Sequence, residues 1–302
     1  MYAPLYIEKS KDGTLEKIAK ELMARLEKCD ICPHVCGVNR LAGQKGFCKA
    51  KAEVEISSFG PHFGEESVLV GRNGSGTIFF THCNMRCVFC QNFTISQLGE
   101  GMKISIEELA DIMLRLQNMG CHNINLVTPT HYAPQIVSAI NIAAKNGLKI
   151  PIVYNCGGYE RKEIITLLDG IIDIYMPDFK YGDDENARVY SGVNNYTLYA
   201  KESLIEMQRQ VGDLIVDEYG IAVKGLIIRH LVLPNDIAKS EEVLRFIARN
   251  VSPKAYVNIM AQYYPTYQAH KYPEIARRIT IEEYRKVLKI AKEIGPEFRL
   301  AD

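Results

Sequence analysis

Apolar positions recur along this chain with two periods, and the change from one to the other organises it. Residues 14–28 (TLEKIAKELMARLEK) place Leu15, Ile18, Leu22 and Leu26 at helical spacing. Residues 52–82 then alternate short β-type runs with glycine turns. From residue 76 the pattern becomes strand–helix–strand. GTIFFT predicts a strand, and Ser105-x-x-Glu108 predicts a capping box opening a helix to Met119. In that helix Ile106, Leu109, Ile112, Met113 and Leu116 form one apolar face.

NINLVT, IPIVYN, IIDIYM, VKGLIIRHLVLP and AYVNIM continue the strands. APQIVSAINIAAKNG, ERKEIITLLDG, a polar stretch to about residue 212, and SEEVLRFIARN capped by Ser240 supply helices between them. Thr280-x-x-Glu283 opens a last helix to about Glu293. Apolar strands alternating with helices imply a parallel sheet with right-handed crossovers. The expected fold class is α/β: a partial (β/α)6 TIM-like barrel preceded by a small N-terminal cysteine-rich module. The expected division is 1–70 for the N-terminal helix and cysteine module and 71–302 for the barrel. Binding groups then belong at the strand C-termini, where THCNMRC, VTPTHY, YNCGGYE, MPDFK, RHLVLPN and MAQYYP stand.

Composition changes the picture in two ways. Lys plus Arg equals Asp plus Glu, 36 against 36, so the chain advertises neither a nucleic-acid nor a membrane partner. The opening MYAPLYIEKSKDGTLEK lacks a signal-peptide pattern, and no apolar run approaches a bilayer span, so a cytoplasmic protein is expected. Nine cysteines in such a compartment are seldom disulfides, and seven of them fall in two tight groups, which points to metal. Cys121 stands alone and reads as a small buried hydrophobe.

The first group carries the chemistry. Cys83, Cys87 and Cys90 form C-x3-C-x2-C directly after an apolar strand. Three soft thiolates can hold three irons of a [4Fe–4S] cluster and leave the fourth iron open to a cofactor. The plain alternative is a structural zinc site with His82 as fourth ligand, but zinc motifs rarely follow the first strand of a six-unit β/α pattern. The second group, Cys29, Cys32, Cys36 and Cys48, is a complete four-thiol set at C-x2-C-x3-C-x11-C. An auxiliary iron–sulfur cluster and zinc are both open for it. His34 inside that loop reads as surface.

The Cys83 loop resembles that of the radical S-adenosylmethionine (SAM) superfamily. Residues 29–265 resemble its pyruvate formate-lyase-activating-enzyme-like branch, and more closely a paralogue group with an N-terminal cysteine cluster and PHFGEE…GSGTIFF before the SAM loop. The resemblance implies reductive cleavage of SAM at a [4Fe–4S] cluster, and a 5′-deoxyadenosyl radical that abstracts hydrogen. An electron donor such as flavodoxin or ferredoxin is expected; the resemblance does not imply the substrate, and one hypothesis is a backbone glycine of a partner glycyl radical enzyme. A small molecule or another peptide is the alternative substrate, and a non-catalytic metal-binding module the alternative class.

Residue by residue, the resemblance places Phe89 near adenine and the Asn155, Cys156, Gly157, Gly158 run near the SAM methionyl group. It places Asp178 at the SAM amino group, Lys180 at its carboxylate and Arg229 at a strand end. An aminocarboxylate needs one anion and one cation. The chain departs from the pattern after the second strand, where Thr128-Pro129-Thr130-His131 replaces Gly-Gly-Glu, and after the last strand, where Gln262 stands near the family's histidine.

Overall fold

A computed structural model describes residues 2–301. Ten strands form one sheet: β1 (Val54–His62), β2 (Ser75–Phe80), β3 (Met102–Ile104), β4 (Ile124–Val127), β5 (Ile152–Cys156), β6 (Ile174–Pro177), β7 (Ile215–Val216), β8 (Ala222–Leu231), β9 (Tyr256–Met260) and β10 (Arg299–Leu300). Their order is β10-β9-β8-β6-β5-β4-β2-β1-β3, with β7 on β8. The six strands read from the sequence are consecutive neighbours and pair in parallel. The expected partial barrel is therefore present, and its two edges carry strands beyond the six. β1 runs antiparallel along β2, β3 along β1, and β10 extends β9.

The inner strands are buried on both faces: every residue of β5 and β6 is buried. Parallel sheets covered by helices require this, and it explains why these strands read as continuous apolar runs. The capping boxes form as expected. Ser105 accepts from the Glu108 amide and Thr280 from the Glu283 amide, and each glutamate returns a bond to its cap residue's N–H.

Two helix boundaries differ from expectation. The first amphipathic helix is Thr14–Ala24 and ends short of residue 28. The carbonyls of Leu26 and Cys29 there accept from the amides of Arg40 and Gly37, which folds the chain back into the cysteine loop. Ser240 does not cap its helix. Lys239 holds the cap position in the left-handed region, and the Ser240 hydroxyl bonds His230 Nε2 at 2.8 Å.

The Thr14–Ala24 helix packs on the barrel helix Ala133–Lys145. At the bottom of the barrel, buried Asp173 accepts from Tyr2 Oη, the Leu5 amide and the Ile152 amide, tying the N-terminal segment beneath β5 and β6. Among the described residues no helix is long and apolar enough to cross a membrane.

Candidate active site at the strand C-termini

Parallel strands deliver their C-terminal loops to one mouth, and a cavity of about 380 Å³ opens there. Cys83, Cys87 and Cys90 line it from the loop after β2. Thr128, Asn155, Cys156, Gly157, Asp178, Lys180, Arg229 and Gln262 line it from the ends of β4, β5, β6, β8 and β9. Phe89 is in the wall as well, with Tyr263 edge-on at 5.7 Å.

The loop after β2 turns by strain and by contact. His82 adopts φ 67°, and its Nε2 lies 3.1 Å from Glu55 Oε2, away from the cavity wall. It therefore does not serve as a fourth ligand beside the thiols. Sulfur acceptors are served locally: the Met85 amide donates to Cys83 Sγ at 3.3 Å and Ser191 Oγ to Cys87 Sγ at 3.0 Å, while Ser96 Oγ lies 3.1 Å from Cys90 Sγ. Burial pushes the Cys83 thiol up and the Cys87 thiol to about 11, so both release their protons at neutral pH only on coordination. Among the described residues no three His, Cys, Asp or Glu side chains converge as one ion requires. The three thiols line a shared cavity, and soft thiolates without a fourth protein ligand suit an iron–sulfur cluster with one open iron.

Beside the thiols lies a charged network. Arg229 Nε donates to Asp178 Oδ1 at 2.8 Å and Arg229 Nη2 to Asn155 Oδ1 at 2.7 Å. Lys180 Nζ donates to Asp178 Oδ2 at 2.5 Å. Burial alone would raise the Asp178 carboxyl, but Arg229 and Lys180 outweigh it and hold it below its ordinary value. Both carboxylate oxygens are thus occupied by cations of this chain. Glu65 adds a weaker contact, 3.6 Å from Arg229 Nη1. Glu66 accepts from Asn258 Nδ2 at 2.8 Å. These two acids come from the PHFGEE run, which carried the resemblance without a role; its position just after β1 is what brings it to the mouth.

Gly157 and Gly158 are set by close approach. A Cβ on Gly157 would meet Met85 Sδ at 2.8 Å; one on Gly158, at φ +77°, would meet the Asp178 carbonyl oxygen at 2.0 Å. Thr128 also has φ 62°, which is costly for a β-branched residue and suits a functional rim.

One buried acid escaped the sequence reading. Glu160 is fully buried, accepts from Thr130 Oγ1 at 2.5 Å and Tyr154 Oη at 3.3 Å, and has no cation beside it. Burial raises its carboxyl to about 8, against its hydrogen bonds, from an ordinary 4.5. The folded chain therefore keeps a proton that the unfolded chain releases between these values, so stability falls as pH rises from about 4.5 to about 8. Glu160→Gln is expected to raise stability by roughly 4 kcal/mol at pH 8 and to change little at pH 4.5, measured as urea midpoints at both pH values. A second expectation concerns redox tuning. Ser191→Ala removes the hydroxyl donor from Cys87 Sγ, and an electrochemical titration should show a more negative cluster potential.

Residues 77–212 match the Radical SAM superfamily model. The chain is 37% identical over 287 residues to the uncharacterized protein MJ0674 of Methanocaldococcus jannaschii, covering 92% of this chain and 77% of that protein. It is 24% identical over 297 residues to MJ0808 of the same organism, covering 89% and 82%. Among solved structures, methylornithine synthase superposes with a TM-score of 0.48 at 16% identity, over 72% of this chain and 61% of that one. The hydrogenase maturase HydG superposes with 0.48 at 14% identity, over 72% and 49%.

Proposed function

Because this chain belongs to the radical SAM superfamily, we propose that the mouth of its barrel binds a [4Fe–4S] cluster through Cys83, Cys87 and Cys90 and binds SAM beside it. The observation that carries this reading is the meeting of three thiols with the Asp178–Lys180–Arg229 network in one cavity. Held there by Cys83, Cys87 and Cys90, a reduced cluster would supply the one-electron chemistry that cleaves SAM to methionine and a hydrogen-abstracting 5′-deoxyadenosyl group.

The chain's own residues hold and orient the cofactor. Asp178 fixes Lys180 and Arg229 with both oxygens, leaving the trio one positive charge in excess. That excess suits the SAM carboxylate, so Asp178 acts chiefly as the group that aims the two cations. The SAM ammonium meets the remaining acceptors of the mouth, the carbonyls of the Thr128 loop and Glu65. Gly157 and Gly158 leave room for the methionyl chain, and Phe89 offers an apolar ring edge to adenine. Thr128 takes the place of a family glycine and keeps the left-handed backbone that a glycine would adopt freely.

For the substrate two classes stand level, a backbone glycine of a partner protein and a small molecule or other peptide, with a flavodoxin or ferredoxin as electron donor. A deuterated glycine peptide would pass its label into 5′-deoxyadenosine if the glycine class is right, and an unlabelled product would redirect the search to small molecules. The cofactor site itself is tested by EPR. SAM should shift the spectrum of the reduced, reconstituted wild-type cluster, and an unchanged spectrum at saturating SAM would refute the shared cavity.

A further inference from the structure

We propose that Cys29, Cys32, Cys36 and Cys48 hold a second iron–sulfur cluster, whose negative charge neutralises the buried guanidinium of Arg40 and whose loop clasps the catalytic cysteine loop. The four thiols surround one small cavity, and Arg40 and His131 complete its wall.

Arg40 is the telling residue. Only 1% of it is exposed. Its Nη1 donates to the His131 carbonyl and its Nη2 to the Lys51 carbonyl, both at 2.7 Å, while its Nε has no partner. Among the described residues no carboxylate comes within ion-pair distance of it, although nineteen other such pairs are formed. A buried guanidinium without a counter-charge is strongly disfavoured. Four neutral thiols offer none, whereas four thiolates on a metal centre leave a net negative charge beside it.

One feature favours a cluster over one zinc ion. The ligands come as three close cysteines and one remote, C-x2-C-x3-C-x11-C, as iron–sulfur loops supply them, whereas structural zinc sites commonly pair two short knuckles. The remaining wall is apolar, with Ile31, Val35 and Val38.

Three hydrogen bonds join this centre to the catalytic loop. His34 Nε2 meets the Asn84 carbonyl at 2.9 Å, Arg86 Nη2 donates to the Phe47 carbonyl at 2.8 Å, and His131 Nε2 meets the Thr81 carbonyl. The His34 ring stacks on Phe47 at 3.8 Å. His34 is thus neither a surface residue nor a ligand; it is the pin between the two loops.

The test uses full-length protein with Cys83, Cys87 and Cys90 all changed to Ala, reconstituted anaerobically with iron and sulfide. About four irons and four labile sulfides per chain should remain, against about eight of each in wild type. Adding Cys32→Ala and Cys48→Ala should remove them. In the triple variant, one zinc and no iron, one iron without labile sulfide, or no iron at all would each overturn the proposal. In the triple variant Arg40→Gln should make the remaining cluster's potential more negative, and an unchanged potential would remove Arg40 from the account. None of these readouts depends on SAM cleavage, so failure here is distinguishable from failure of the catalytic reading.

Discussion

Cys87→Ala should bring SAM cleavage down to the dithionite background, a loss on the order of a thousandfold or more, because the radical chemistry resides in the bound cofactor. Cys87 is buried against Ser191, and its sulfur faces the same cavity as Cys83 and Cys90. With two thiolates left, the cube loses a third anchor and the charged network loses the centre it flanks. The small side chain should spare the fold, because the loop is also held by the Arg86 and Val88 amides bonding the carbonyls of Ser191 and Tyr190. The check is 5′-deoxyadenosine quantified beside circular dichroism. Cleavage retained in a folded Cys87→Ala protein with full iron would refute the ligand assignment.

Arg229→Ala should weaken SAM binding by roughly ten- to hundredfold, the 1.5–3 kcal/mol of a hydrogen bond to a charged partner. Arg229 Nε holds Asp178 and its Nη2 holds Asn155, so it ties the ends of β8, β6 and β5 together at the mouth. Without it Asp178 and Lys180 form a neutral pair, and the excess positive charge that suits a carboxylate is gone. Arg229→Lys should recover the charge but only part of the affinity, because an ammonium lacks the planar fork that spans both partners. Equilibrium binding of SAM to the reconstituted, unreduced protein measures the change, and iron content should stay at the wild-type level in both variants.

The barrel was legible because its inner strands are buried on both faces and so stand out as apolar runs between amphipathic helices. The strands at the sheet edges were harder to read. β1 carries Gly60, Pro61 and His62 at its end and looked like turn sequence, while β10 is only Arg299–Leu300, too short for any period. The three thiols at the mouth were legible from spacing, and the Asp178, Lys180 and Arg229 positions from the resemblance. Their mutual pairing was not, because it depends on β6 and β8 lying side by side. Glu160, Arg40 and His131 gave no local signal. An acid two residues past a Gly-Gly turn or an arginine in a cysteine loop is ordinarily solvated, and only the packing of distant segments shows that these are buried.

The most direct measurement is product formation by wild-type protein. Reconstituted anaerobically, reduced with dithionite and given SAM, it should form 5′-deoxyadenosine and methionine in equal amounts. Absence of both products, while EPR shows a reduced cluster with SAM bound, would contradict the account.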